Sequence, residues 1–379
     1  MTPQSEMKTA RPHKKPFDFI IFITVLVLLS LGTIMVFSSG APHAYNYMHG
    51  DTYYFLKKQL LYAPIGLLGM FIAMNFDYRK LGKLSPLLIL GSIGMLLLVF
   101  IPGLGQELNG SRRWINILGN SIQPSEFAKL SIILFLSFSL SKSKDKVKSF
   151  FTGLLPYLIL IGVFSILLML EPHLSCTIII ALVSSIILIS AGAKLSHFGL
   201  MAAPAAGLLM VLVMTSEYRL KRLVSFMNPW SDPQGGGWQV VQSLYAIGSG
   251  GLFGRGLGKS LQKFLYIPEP YNDFILAVLA EELGFIGVAT VLLLFMVFIW
   301  RGVKVAMTSP DMFGSLVAIG ITSLIAVQVV INVAVVTSSM PVTGMPLPFF
   351  SYGGTSLVFL LFEVGILLNI SRYANYERI

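Results

Sequence analysis

The residues that could do chemistry gather in three short stretches. The first is Pro268-Glu269-Pro270-Tyr271-Asn272-Asp273-Phe274, where a long polar loop meets a long apolar run. An ionisable group at such a water–lipid boundary is costly unless it has a task. Asp273 has the chemistry of a general base, because a carboxylate within reach of a hydroxyl takes its proton as the oxygen attacks. Its substrate would be lipid-linked and would lie at the outer membrane face. The local alternative is a helix N-cap, and local sequence alone favours the cap.

The second stretch holds Arg112, Arg113 and Trp114, then Gln123-Pro124-Ser125-Glu126-Phe127-Ala128-Lys129. Pro124 and Glu126 suit a first helical turn. Lys129 lies one turn deeper and shares a face with Glu126, so the two can pair. Paired charges inside a membrane usually line a cavity or a substrate path. Arg112 and Arg113 are either interfacial anchors or phosphate ligands, for which the guanidinium fork is suited.

The third stretch runs from Pro341 to Ser356, with further prolines at Pro346 and Pro348. Irregular backbone near a membrane must be covered by protein or line a wet cavity. Ser351, Gly353, Gly354 and Thr355 then open a helix with free amide donors, a natural anion seat. The alternative is a plain re-entrant turn. If the three stretches converge, they form a donor-rich, positive pocket with Glu126, Glu269 and Asp273 nearby, fit for a lipid pyrophosphate.

Other candidates carry less. Glu281 and Glu282 are adjacent and point to different faces, so at least one needs a partner such as Lys129. Trp238 to Ile247 reads as an interfacial amphipathic helix. Gly258-Lys259-Ser260 resembles the end of a nucleotide phosphate loop, but Phe253 stands where that loop needs its first glycine. The five histidines lack metal-ligand spacing, so no zinc site is expected. The single Cys176 excludes an internal disulfide.

The elements that must position these residues are membrane helices. The 379-residue chain is 55% hydrophobic and 12% charged, against about 25% charge in soluble domains. The net charge of +10 falls mostly in short loops, which points to membrane orientation and not to nucleic acid. Runs of about 20 apolar residues predict an all-α polytopic protein with ten spans: 17–38, 58–75, 84–101, 123–141, 151–170, 174–191, 196–215, 273–300, 312–336 and 350–371. Only Glu171-Pro172-His173 separates the fifth from the sixth. Sixteen Lys and Arg fall on one set of segments and four on the opposite short loops. That asymmetry puts both termini in the cytoplasm. Residues 1–16 and 372–379 are then cytoplasmic tails on a single 17–371 membrane domain, and 216–272 is a large extracellular loop.

The ordered motifs NGSRRWI at 109–115, QPSEFAK at 123–129, PEPYNDF at 268–274, AEELG at 280–284 and PFFSYGGTS at 348–356 resemble the SEDS family (shape, elongation, division and sporulation). The resemblance covers nearly the whole chain. The run Ser260-Leu261-Gln262-Lys263-Phe264 is nearer the FtsW and SpoVE branch than RodA. The resemblance implies ten membrane helices and a glycosyltransferase that polymerises lipid II into peptidoglycan outside the bacterial cytoplasmic membrane. It places the family's essential loop aspartate on Asp273 and its charged pair on Glu126 and Lys129. This chain has Tyr271-Asn272 where many relatives have His-Thr. The leaving pyrophosphate would be stabilised by Lys129, Arg112, Arg113, the Ser351–Thr355 amides or a divalent cation, Mg or Mn, with metal ligands unassigned. No nucleotide is needed. The implied partner is a class B, monofunctional penicillin-binding protein transpeptidase, alongside divisome, elongasome or sporulation proteins. A lipid II flippase is the runner-up, and a non-catalytic scaffold for the transpeptidase is a third reading. A flippase should carry polar residues along a whole crossing route, whereas here they cluster towards one face.

Overall fold

Long apolar runs in lipid must satisfy their own backbone groups, and helices do so internally. The computed structural model describes residues 15–108, 111–117, 120–143, 146–215 and 217–375. The expectations for the N-terminal tail up to residue 14, for Asn109, Gly110 and Lys144, and for residues 376–379 lie outside the described residues. In chain order the helices are α1 (Phe19–Tyr47), α2 (Tyr54–Asn75), α3 (Tyr78–Leu98), α4 (Pro124–Lys142), α5 (Leu155–Leu170) and α6 (Leu174–Ser190). They continue with α7 (Leu195–Met214), α8 (Glu217–Met227), α9 (Trp238–Gly250), α10 (Ile275–Thr308), α11 (Met312–Val336) and α12 (Gly354–Ser371). A helix occupies each expected span, and the protein is a polytopic membrane protein. Among the described residues, seven helices are long and apolar enough to cross a membrane: α1, α2, α3, α5 with the π-turn before it, α10, α11 and α12.

The bundle centres on α11, α12 and α4. Two-thirds of the apolar windows of α11 and α12 are buried. α12 packs along α2, and α4 lies among α3, α6 and α11. One face of the bundle ties both described chain ends together. Lys15 N donates to Arg372 O at 2.8 Å, and Asp18 N to Ser371 Oγ at 2.9 Å. Asp18 also caps α1 and accepts from Arg301 Nε at 2.9 Å. Tyr78 N donates to Asn369 Oδ1, and Arg79 pairs with Asp311. These residues begin or end helices on the side that the lysine and arginine pattern assigns to the cytoplasm.

The opposite face differs from expectation in two ways. The segment before α4 departs from the all-α expectation: β1 (Gly105–Leu108), β2 (Ser111–Ile117) and β3 (Asn120–Ile122) form an antiparallel sheet in the order β1-β2-β3. The protein is therefore mostly, not wholly, α-helical. The stretch 238–247, expected as an interfacial amphipathic helix, is helical but turns its buried face onto another helix. α9 packs along the first turns of α10, with Val240, Gln242, Ser243, Ala246 and Gly250 buried and Tyr245 exposed. Its end meets the chain deep along α10, since Phe285 N donates to Gly251 O and Ile286 N to Leu252 O.

That meeting explains the break in α10. Gly284 has φ +67 and ψ −168, which splits the helix into a short outer piece and a longer one. The piece after Gly284 is long enough to span the apolar core alone, at about 1.5 Å per residue. A Cβ on Gly284 would press on the backbone of Gly254 and stand 2.6 Å from Leu252 O. Gly284→Ala is therefore expected to lower the thermal midpoint in detergent, by about 1–3 kcal/mol of stability from backbone strain alone. An unchanged midpoint would show that the break tolerates a side chain.

The loop after α9 also settles the two adjacent acids. Glu281 accepts from Arg255, Ser260 Oγ and the amides of Leu261 and Gln262. Glu282 accepts from Lys263 Nζ at 2.8 Å and from Ser38 Oγ. Their partners are Arg255 and Lys263, not Lys129 as anticipated. Sequence distance concealed this, because the loop folds back onto the helix it precedes.

Candidate active site

The three stretches meet at the face opposite the chain ends. α10 starts at Ile275 with Phe274 at its N-cap and no side-chain cap, so Asp273 does not serve as the cap. Its half-buried carboxylate lies beside the strand that carries Arg113 and the segment that carries Gly344. Ser351 Oγ donates to Asn272 O at 2.7 Å, and Tyr352 N to Tyr271 O at 2.9 Å. Asn332 Nδ2, from α11, donates to Asp273 O at 2.9 Å and to Met345 O at 2.8 Å. Ser175 donates to Thr343 O, and Arg222 Nη1 to Val342 O at 2.8 Å. Gly344 has φ +69, and a Cβ there would lie 3.3 Å from Asp273 Oδ2. Glycine at 344 thus lets the proline-rich segment pass alongside the acid.

Burial pushes the Asp273 carboxyl up to about 7, and the neighbouring Glu269 adds to the rise, while Arg222 and Arg113 pull the other way. A base poised near neutrality matches proton transfer at physiological pH. Arg113 is the extra residue of a β-bulge, since Trp114 pairs with Gln106 and Arg112 with Glu107, and the bulge re-aims its side chain away from that of Arg112. It donates to the carbonyls of Glu171 and Pro172. Arg112 instead pairs with Glu107 at 3.1 Å on the exposed side of the sheet, so the structure does not bring it to the site. Arg113→Met removes a cation that favours ionised Asp273. The acidic limb of the pH–rate profile should move to higher pH, and an unmoved limb would place Arg113 outside the field of Asp273.

Below Asp273 a cavity of about 120 Å³ runs into the bundle, lined by Trp114, Glu126, Lys129, His173, Asn272 and Glu363 among others. Lys129 Nζ donates to Glu126 Oε1 at 2.9 Å, with the lysine side chain 4% exposed. Asn272, not Asp273, lines this cavity. Tyr271 turns inward and stacks on Phe55 at 4.0 Å between centroids, so of the two unusual residues only Asn272 faces the cavity. Gly353 lines the mouth, Gly354 packs against the Tyr62 ring, and Thr355 Oγ1 is buried without a partner. Glu269 stands at half-exposure, 3.4 Å from Asn272 Nδ2. Sequence reasoning passed over Asn332, Arg222, His173 and Glu363. The available signal was a polar residue inside an apolar helix, which Asn332 and Glu363 both show. A larger hollow of about 550 Å³ lies along α3, α4 and α5, lined by groups such as Phe135, Ser139 and Tyr157. Its lining holds no carboxylate, histidine, lysine or arginine.

The sequence pattern of the FtsW/RodA/SpoVE cell cycle proteins matches residues 18–376. The chain belongs to that family. Among relatives of this FtsW/RodA/SpoVE chain, Stage V sporulation protein E of Bacillus subtilis is 47% identical over 359 residues, covering 95% of this chain and 98% of that one. A probable peptidoglycan glycosyltransferase FtsW from a Geobacter species is 41% identical over 358 residues, covering 94% and 96%. The fold is similar to a chain of a peptidoglycan synthase complex that coordinates polymerization and crosslinking, with TM-score 0.78, 28% identity and coverage of 94% and 98%. It is also similar to Thermus thermophilus RodA, with TM-score 0.69, 27% identity and coverage of 94% and 97%.

Proposed function

We propose that this chain is a peptidoglycan glycosyltransferase that polymerises lipid II at the outer face of the bacterial cytoplasmic membrane. In this reading it spans the membrane ten times, with both termini cytoplasmic. The observation that carries the reading is Asp273: a carboxylate that caps no helix, placed where the start of α10 is bound to α11 and to the proline-rich segment before α12. The acceptor sugar hydroxyl gives its proton to Asp273 as its oxygen attacks the anomeric carbon of the donor. The anomeric C–O bond breaks, and its electron pair leaves on the lipid diphosphate. Arg113 and Lys129 are the cations placed to stabilise that charge. The cavity is smaller than the roughly 300–1,000 Å³ of ordinary ligand pockets. It therefore takes the diphosphate end, while the sugars lie along the outer surface beside Asp273.

The relatives named as FtsW glycosyltransferases and the likeness to a peptidoglycan synthase complex support the assignment. The same likeness supports a class B penicillin-binding protein as partner, which would cross-link the strands made here. The test is purified full-length protein given labelled lipid II and a divalent cation. Glycan ladders are expected. Movement of lipid II across vesicles without any polymer would replace this reading with the flippase.

A further inference from the structure

The hollow of about 550 Å³ along α3, α4 and α5 takes no part in the proposed reaction. Phe135, Ser139 and Ser143 line it from the α4 side, and Tyr157, Leu160 and Val163 from α5. Ser139 Oγ and Tyr157 OH share a hydrogen bond of 2.8 Å across it, so these two polar groups satisfy each other. The lining is otherwise mostly apolar, and an apolar cavity does not hold water. From Phe135 to Ser143 the wall runs about 12 Å, at 1.5 Å per residue. That is close to the hydrocarbon depth of one leaflet, about half of the 30 Å core. A crossing helix from a partner, about 10–12 Å wide and about 30 Å long, is too large for this space. A single acyl chain is apolar, thin and one leaflet long.

The charge at its mouth says which lipid. The hollow reaches the end of the bundle that the lysine and arginine pattern assigns to the cytoplasm. There Lys142 immediately precedes the lining residue Ser143, and Lys148 immediately follows the lining residue Val147. Both lysine side chains are exposed. Residues 142–148 carry four lysines against one aspartate. Membrane orientation alone accounts for basic residues here, but not for the hollow they border. The chain then enters α5 through the π-turn Phe150–Leu154, whose Thr152 and Gly153 also line the hollow. Such turns recur at functional sites. A basic pocket between membrane helices on the cytoplasmic side suits an anionic headgroup. We propose that this hollow binds an anionic phospholipid of the cytoplasmic leaflet, with one acyl chain between α4 and α5 and the phosphate at Lys142 and Lys148. The lipid completes the packing of α4, the helix that carries Glu126 and Lys129 at its other end.

The choice of leaflet rests on the orientation proposed above, whereas the binding does not depend on glycan synthesis. Full-length protein in detergent is stripped of lipid and given dioleoylphosphatidylglycerol or dioleoylphosphatidylcholine, which differ only in the headgroup. Retained lipid is counted by native mass spectrometry. The wild type should hold one phosphatidylglycerol at a concentration at least about tenfold below that needed for phosphatidylcholine, because each lysine near the headgroup adds several-fold. Lys142→Gln combined with Lys148→Gln should abolish that preference and leave weak binding of both lipids. Leu160→Trp, which fills the hollow from α5, should lower the count by one for either lipid. If Leu160→Trp fails to fold, Ile159→Trp, on a lining side chain that is 59% exposed, serves instead with the same result expected. Equal retention of the two lipids by the wild type overturns the proposal. So does an unchanged preference in the double lysine variant, or a wild-type lipid count in the tryptophan variants.

Discussion

Asp273→Ala is expected to lower lipid II polymerisation by about 10²–10⁴-fold, the usual worth of a positioned general base. Asp273→Asn should lose as much, because an amide keeps the shape and cannot take the proton. Neither change should weaken the fold. The carboxylate caps no helix, and its folded-state value lies above its ordinary one. Such an acid opposes folding once it ionises: the cost is absent at pH below its unfolded value and complete above about 7. At pH 8 the variants should therefore melt no lower than the wild type. The wild-type rate should climb as pH rises through about 7 and Asp273 ionises. Glycan ladders from labelled lipid II across pH 5.5–8.5 (roughly three units centred near that value) provide the check. A flat acidic limb, or an active alanine variant, would remove Asp273 from the chemistry.

Lys263→Met should have the largest effect on stability. Lys263 is 4% exposed and Glu282 fully buried, 2.8 Å apart, and the lysine also donates to Gly258 O at 2.8 Å and Ser38 Oγ at 3.1 Å. Taking away the cation strands a buried carboxylate, at a cost of about 3–5 kcal/mol. The double change Lys263→Met with Glu282→Gln should recover much of that loss, because no buried charge is then left alone. Thermal unfolding in detergent distinguishes the cases. A double variant no more stable than the single one would mean that packing, not charge, holds the loop after α9 against α10. Activity should fall with stability in the single variant, since this loop leads directly to Asp273.

Hydropathy located the helices well because a lipid-spanning segment must be long and apolar whatever surrounds it. α11 is found over the very range expected, Met312–Val336. Local spacing was equally reliable for Glu126 and Lys129, which need only one helical turn to meet. The approach of the three outer stretches was also legible, since each carries turn residues before an inward-running helix. Other features depend on contacts between distant residues, and no local rule encodes them. Strand pairing decided that Arg113 and not Arg112 turns to the site. The fold-back at Gly284 decided that Glu281 and Glu282 belong to Arg255 and Lys263. Glu363 is one acid in an apolar helix until α12 packs near α4 and sets it beside Lys129. The amino-acid order thus determined the membrane helices and the acid at their mouth, because periodicity and hydropathy act within a single segment. Only the tertiary structure decided which charges share a cavity, because a buried charge is balanced by whatever packing brings near it.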